Sequence, residues 1–341
     1  MTNKQFKLLL RAIYFFSFVI VLNTIAICIL ISQQYNINDD PLAVRPWKMK
    51  SVITDLPHGQ LGKQVNYGYK LIKETSKYIG PNVENSEMRF AGNNLTCNNC
   101  HLNAGRKKGS GSFIGVSTRY PQFRGRENKE GSIEERVNGC MERSMNGKKL
   151  PLESNEMQAL VAYFEWLSAD VPESIVEEYK GFEEIAIPDL KADTAIGKRL
   201  YIKNCVRCHQ QDGKGMKTST AEFVEYLYPP IAGEDSYNDG SGMHRVLTAA
   251  RFIKGNMPFG TVADLPELTD LEVYHIAAYI NSLDRPIKQN KDQDYPELKH
   301  KPVSTPYGPW ADNFSQEEHQ YGPFKPIIKF YFEEYGITKT K

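Results

Sequence analysis

The chain opens on an unbroken apolar run. Residues 12–31, AIYFFSFVIVLNTIAICILI, carry no charge, and only Ser17, Asn23 and Thr24 add polarity. Twenty helical residues rise about 30 Å, the thickness of a bilayer's hydrocarbon core. Lys4, Lys7 and Arg11 precede the run, and Asp39 and Asp40 follow it. By the positive-inside rule the N-terminus stays cytoplasmic and everything after about Ser32 is exported. A cleaved signal peptide is the rival, but SQQYNIND after the run is polar and bulky and offers no small-residue cleavage site. Ile27 in front of Cys28 argues against a lipoprotein signal. Segment 1–35 is thus expected to be a transmembrane signal-anchor. The remainder would be periplasmic in a Gram-negative host, held at the inner membrane.

Beyond residue 55 helical periodicity takes over, and it does so twice. Thr269-Asp-Leu-Glu272 is a capping box. It opens a helix whose apolar positions Val273, Ile276, Ala277, Ile280 and Leu283 recur at helical spacing. The stretch from Ser154 to Leu167 is its counterpart, with Ala162-Tyr163 and Leu167 aligning to Ala278-Tyr279 and Leu283. This divergent repeat predicts a mainly α chain of two tandem domains, 55–175 and 188–285. Leu61 to Tyr78 is the expected first helix of the first copy, and the acidic stretch 170–190, with Pro172 and Pro188, is the expected linker. After Asp284 the periodicity stops. Segment 286–341 is rich in proline but carries Tyr295, Tyr307, Trp310, Phe324 and Tyr331 among other aromatics. It reads as a strap packed over the domains rather than a loose tail.

Composition changes this picture in two places. With 42 basic and 41 acidic side chains the formal net charge is +1. A balance so close to zero argues against a nucleic-acid-binding protein and against a disordered one. The six cysteines, Cys28, Cys97, Cys100, Cys140, Cys205 and Cys208, suggest three disulfides until their spacing is read. Four form two identical patterns, Cys97-Asn-Asn-Cys100-His101 and Cys205-Val-Arg-Cys208-His209. C-x-x-C-H is the attachment signature of c-type heme. Two cysteines three apart on a helical turn reach both vinyl groups of one porphyrin, and the adjacent histidine faces the iron. A redox dithiol or half a zinc site is the alternative for either motif alone. Two such motifs on an exported chain predict two covalently bound heme c groups, with His101 and His209 as proximal iron ligands.

The surroundings of the second motif resemble the small single-heme cytochrome c fold. Gly197 lies in the helix before it, and Asp212-Gly213-Lys-Gly215 follows it. Pro229-Pro230 stands where that family places a proline whose carbonyl accepts from the proximal imidazole. Met257-Pro258, in a glycine-flanked loop 48 residues after His209, matches the family's distal-ligand arrangement, whereas Met216 and Met243 read as ordinary methionines. The first half has no Met-Pro loop. In its place stands Asn138-Gly-Cys140-Met-Glu-Arg-Ser-Met145-Asn-Gly147, with Cys140 39 residues after His101 and Met145 44 after it. Three readings compete for that sixth position: Cys140, one of Met141 and Met145, or a site left open or filled by His58. Cys140 also reads as a small buried hydrophobe, although a lone thiol in an oxidising compartment invites unwanted disulfides. Arg119, Arg124, Arg126, Arg136 and Arg143 bracket it, interleaved with Glu127, Glu130, Glu134, Glu135 and Glu142. Singly, each arginine reads as solvated surface. Converging, they would favour a thiolate and bind anions through their planar forks.

Together these segments carry a more specific resemblance. The CNNCH motif, Tyr120-Pro-Gln-Phe-Arg124-Gly-Arg126-Glu-Asn, the stretch from Arg136 to Gly147, and the Asn-Met257-Pro loop resemble the bacterial diheme cytochrome c thiosulfate dehydrogenase and tetrathionate reductase family. So do Thr305-Pro-Tyr-Gly-Pro-Trp-Ala-Asp and Tyr321-Gly-Pro-Phe in the tail. The resemblance covers nearly everything after about residue 55. It implies His101/Cys140 ligation at a catalytic first heme, His209/Met257 ligation at a second, and interconversion of thiosulfate and tetrathionate. On that basis Cys140 is expected to serve as ligand and as the sulfur that bonds substrate, with Arg124, Arg126 and Arg136 holding sulfonate oxygens. Electrons would pass from the first heme to the second, and on to a soluble or membrane-linked cytochrome-type partner. A non-catalytic diheme carrier, ligated by Met141 or Met145, is the main rival. A diheme peroxidase, needing an open or displaceable heme, is a weaker one.

Overall fold

A computed structural model describes residues 2–38, 47–218 and 223–341. Two compact units divide at Lys48. The first is the helix α1 (Asn3–Asn38). Its stretch Asn3–Ser32 is apolar and long enough to cross a membrane, a property shared by anchors and signal sequences. Asp39 and Asp40, the acidic flank in the sequence, lie outside the described residues.

The second unit, Met49–Lys341, is built twice on one plan. Its first half contains α2 (Gly59–Lys73), α3 (Ile133–Arg143) and α4 (Asn155–Ser168). Its second half contains α5 (Thr194–Asn204), α6 (Val246–Asn256) and α7 (Asp270–Ser282). In each half the first helix crosses the last: α2 on α4, and α5 on α7. A glycine permits each crossing. A Cβ on Gly68 would collide with the Ala159 carbonyl and Tyr163, and one on Gly197 with the His275 carbonyl and Tyr279. The tyrosines aligned by the sequence repeat therefore occupy equivalent places in the two crossings.

Local chemistry sets the helix ends. Thr269 and Glu272 form the expected capping box on α7, and Ser132 with Glu135 forms another on α3. Asp193 accepts from the Ala195 and Ile196 amides at the start of α5. The helix expected over Leu61 to Tyr78 instead breaks at Glu74 and resumes as a short helix, Thr75–Ile79. The Thr75 hydroxyl donates back to the Leu71 carbonyl (2.7 Å) and accepts from the Cys97 amide (3.0 Å). That side chain competes with the helix ladder and ties the break to the first C-x-x-C-H turn. Strands are few. β1 (Gln122–Arg124) pairs antiparallel with β2 (Lys129–Gly131), with Gln122 opposite Gly131, and β3 (Met216–Lys217) pairs with β4 (Tyr226–Tyr228).

Val65, Leu71, Leu160, Tyr163 and Leu167 fill the first core, and Tyr201, Leu247, Ala250, Val273 and Ile276 the second. The C-terminal segment joins the second core through α8 (Phe324–Tyr335), which buries Phe324, Ile327 and Tyr331. Each such side chain contributes roughly 1.5–3 kcal/mol, so the strap is an integral layer of the fold. Its middle is organised around the buried Lys301. The ammonium donates to the Pro309 carbonyl (2.8 Å) and lies 5.8, 4.7 and 5.6 Å from the rings of Tyr295, Tyr307 and Trp310. The halves are clasped by residues 235–241. Asp235 accepts from the Asn94 amide (2.9 Å), and Asn238 Nδ2 donates to the Glu142 carbonyl (2.9 Å).

Candidate active site

Both C-x-x-C-H turns present the same donor set. His101 Nδ1 lies 2.6 Å from the Gly111 carbonyl, and His209 Nδ1 lies 2.9 Å from the Pro229 carbonyl. A carbonyl only accepts, so each ring carries its proton on Nδ1 and leaves the Nε2 lone pair available. All six cysteines are free thiols, so the two motif pairs are not disulfides. Burial pushes the Cys97 thiol up to about 11, and the Cys100 and Cys205 thiols to about 12. Two paired thiols beside an imidazole of fixed tautomer, made twice, fit covalent heme c.

The candidate distal residues sit differently in the two halves. In the second half Met257 is the C-cap of α6, packed against the core that also receives Cys205, Val206 and Ile231. Met216 is exposed on β3. In the first half Cys140 sits in the last turn of α3 and faces the His101 ring. Met141 and Met145 are buried in the core. His58 is exposed before α2, and the whole helix, roughly 22 Å long by its rise, separates it from the Thr75–Cys97 contact. The geometry therefore brings Cys140, and not His58, to the imidazole.

Cys140 is electrostatically unlike the other thiols. Burial alone raises its pKa, but Arg136, His101 and Arg143 outweigh this and bring it from 9.0 to about 6. Arg136 Nη1 donates to Cys140 Sγ at 2.8 Å from one turn earlier on α3. Arg143, one turn later, is buried; burial and then Arg126 and Arg136 pull its pKa down to about 10. A helical glycine between them explains how they fit. A Cβ on Gly139 would collide with the Arg143 guanidinium and crowd Arg124 Nη2 at 3.3 Å. Gly139, a poor helix former, thus leaves room for two cations beside the thiol.

Arg124 reaches this place from β1 and is paired with Glu127 through Nε (3.0 Å) and Nη2 (3.4 Å). Arg126, one of the three expected sulfonate holders, is engaged by other parts of the chain. One Nη ion-pairs with Asp294 and hydrogen-bonds Tyr307 (2.9 Å), the other donates to the Gly240 carbonyl (3.1 Å), and the guanidinium lies 4.8 Å from the Tyr295 ring. Its fork is taken up in joining the hairpin to the strap and the clasp, so it reaches the site as a nearby positive charge. Arg143, one of the bracketing arginines but not one of the three expected to hold sulfonate, lies beside the thiol. The 136/140/143 spacing, which puts all three on one helix face, was the signal for it. The result is four guanidiniums, from Arg124, Arg126, Arg136 and Arg143, countered by Glu127 and Asp294. Such a site favours a compact, multiply charged anion.

Comparisons with known proteins assign both halves to cytochrome c families. The family described as SoxA/TsdA, cytochrome c domain, matches residues 87–172, and the cytochrome c family matches residues 194–284. A thiosulfate dehydrogenase from Psychrobacter arcticus is 40% identical over 241 residues, covering 71% of this chain and 69% of that protein. One from Stutzerimonas stutzeri is 38% identical over 232 residues, covering 68% of this chain and 71% of that protein. The solved thiosulfate dehydrogenase (TsdBA) from Marichromatium purpuratum, in its as-isolated form, superposes with a TM-score of 0.63 at 32% identity. That match covers 72% of this chain and 50% of the longer solved chain.

Proposed function

The chain belongs to the thiosulfate dehydrogenase family, and from that premise we propose that it couples two thiosulfates into tetrathionate at Cys140. Heme c would be held through Cys97 and Cys100 with His101 and through Cys205 and Cys208 with His209, and would supply the electron acceptors. Cys140 and Met257 would be the second protein ligands of the two irons in this reading. In the first step the Cys140 thiolate bonds the sulfane sulfur of one thiosulfate: Cys–S⁻ + S₂O₃²⁻ → Cys–S–S–SO₃⁻ + 2 e⁻. In the second, another thiosulfate attacks that sulfane sulfur, releasing S₄O₆²⁻ and restoring the thiolate. No proton is required, which suits a thiol already ionised near neutrality.

The guanidiniums and the covalent step both address charge repulsion. Two dianions 5 Å apart at an effective dielectric of 20 repel by ~13 kcal/mol, and bonding the first to Cys140 halves its charge and lowers this to ~7 kcal/mol. Arg136 and Arg143 flank the thiol and offset the remainder, with Arg124 beside them. The same groups serve tetrathionate cleavage when electrons arrive from the other side. The electrons leave to a cytochrome-type partner. Cytochrome c domains of this kind are typically periplasmic, and α1 would hold this one at the membrane.

One observation carries the reading: the only cysteine outside the two motifs in the Met49–Lys341 unit faces His101 under an Arg136 hydrogen bond. Replacement Cys140→Ala should retain both hemes yet abolish thiosulfate-dependent heme reduction. Near-normal turnover in that variant would support the carrier reading instead.

A further inference from the structure

Residues 107–111, which pin the His101 ring, also hold the loop that carries Met257. The Gly111 carbonyl accepts from His101 Nδ1 (2.6 Å). Two residues earlier, the Gly109 carbonyl accepts from Asn256 Nδ2 at 2.7 Å, although 147 positions separate the two residues in sequence. Lys107 Nζ donates to the Thr261 carbonyl (2.7 Å), and Lys108 pairs with Asp264 (2.7 Å). Lys107 and Gly109, in one loop of the first half, thus reach Thr261 and Asn256 of the second through part-buried and buried contacts, whereas the Lys108–Asp264 pair lies at the surface, where such a pair contributes little.

Asn256 is fully buried and immediately precedes Met257. Its NH₂ group donates to Gly109 and to the Phe252 carbonyl (3.0 Å), while its amide oxygen has no partner. Turning the amide over would set that oxygen against two carbonyls, so its orientation is determined by the contact across the halves. Gly109 has φ +71°, and a Cβ there would crowd Ala263 at 3.0 Å, so the two loops meet at van der Waals distance. The Gly111 amide is fixed in turn by the Gly181 carbonyl (2.8 Å). Buried and part-buried polar contacts thus hold the two loops against each other.

We propose that Lys107, Gly109 and Asn256 are positioning residues that make the His101 and Met257 ligand loops one mechanical unit. A change in the Met257 loop is then felt at His101, and the reverse. This goes beyond the proposed function and rests on it only in taking His101 and Met257 as the ligands of two hemes.

The test uses the full-length, heme-loaded protein, with redox titration followed by heme absorption and electron paramagnetic resonance of the oxidised form. The variants are Asn256→Ser, Lys107→Met and Lys107→Arg, with Lys108→Met as a control on an exposed pair. Asn256→Ser, although made in the second half, should shift the first heme's resonance and midpoint as well as those of the second. Lys107→Met, made in the first half, should shift the second heme's midpoint and its methionine-ligand band, and Lys107→Arg should restore them. Lys108→Met should leave both hemes at wild-type values. Shifts confined to the half that was mutated, or no shifts at all, would overturn the proposal. If Asn256→Ser does not retain both hemes, Lys107→Met, which leaves the 253–258 segment unchanged, decides the matter through the same readouts. Wild-type spectra lacking a thiolate-ligated heme would count against the Cys140 assignment alone, since cross-talk between loops is read from shifts relative to wild type.

Discussion

Asp294→Asn tests whether the strap and the first half form one structure. The Asp294 carboxylate lies in the strap and is only 9% exposed, as is its partner Arg126. It also accepts from the Tyr307 hydroxyl (2.8 Å) and lies 3.5 Å from Lys288 Nζ. Breaking one side of a buried ion pair costs about 3–5 kcal/mol, because the remaining charge stays desolvated. Asparagine keeps an acceptor for Tyr307, which places the loss near the low end, about 3 kcal/mol. At roughly 2–4 °C per kcal/mol for a unit of this size, the melting temperature should fall by about 6–12 °C. The double variant Arg126→Met/Asp294→Leu should recover most of this, since replacing both charges with apolar groups removes the desolvation penalty. Thermal and urea unfolding followed by far-ultraviolet circular dichroism, at one scan rate for all variants, measures the cycle. Burial raises the Asp294 pKa, but Arg126, Tyr307 and Lys288 together hold it below the ordinary 3.8. A depressed carboxylate stabilises above its unfolded pKa and loses that contribution as pH falls through its folded one. Wild type should therefore lose its advantage over Asp294→Asn below about pH 4. A shift of less than about 2 °C at pH 7, or additive single effects in the cycle, would refute a desolvated pair joining hairpin to strap.

Three further outcomes follow from the site and the repeat. Arg136→Met removes the charged hydrogen bond to Cys140, worth about 1.5–3 kcal/mol, so kcat/KM for thiosulfate should drop roughly 10- to 150-fold; Arg136→Lys, which keeps the charge but not the fork, should fall between, and steady-state rates equal to wild type would sink the role. Gly139→Ala should displace Arg143 and raise KM for thiosulfate about tenfold or more with heme content unchanged, and an unaltered KM would show that the two guanidiniums do not depend on that space. Gly197→Ala should lower the melting temperature by several degrees, because overpacking a close crossing costs about 1–3 kcal/mol; a neutral result would mean that α5 and α7 can separate freely.

Much of this was legible in the chain because short-range chemistry encodes it. Each C-x-x-C-H turn, the Thr269/Glu272 cap and the apolar run of α1 depends on neighbours a few residues away. The two-fold repeat was legible because equivalent crossings use equivalent side chains, Tyr163 in one half and Tyr279 in the other. Cys140 stood out because five other cysteines had an assignment and it did not, and Arg136 and Arg143 lie within one helical turn of it. What the sequence could not show was how each arginine is used. Arg126 and Arg136 look alike in a list of basic residues. Only the fold brings Asp294, 168 residues away, onto Arg126 and leaves Arg136 facing the thiol.

The sequence by itself determined which groups are available: two C-x-x-C-H turns, an extra thiol and a set of arginines interleaved with glutamates around it. The tertiary structure decided which groups act together. The break at Thr75, the strap locked on Arg126 and the Gly109–Asn256 contact all join residues from distant parts of the chain. Such pairings follow from close packing of whole elements and from the need to satisfy buried polar groups, conditions that no local stretch of residues can state.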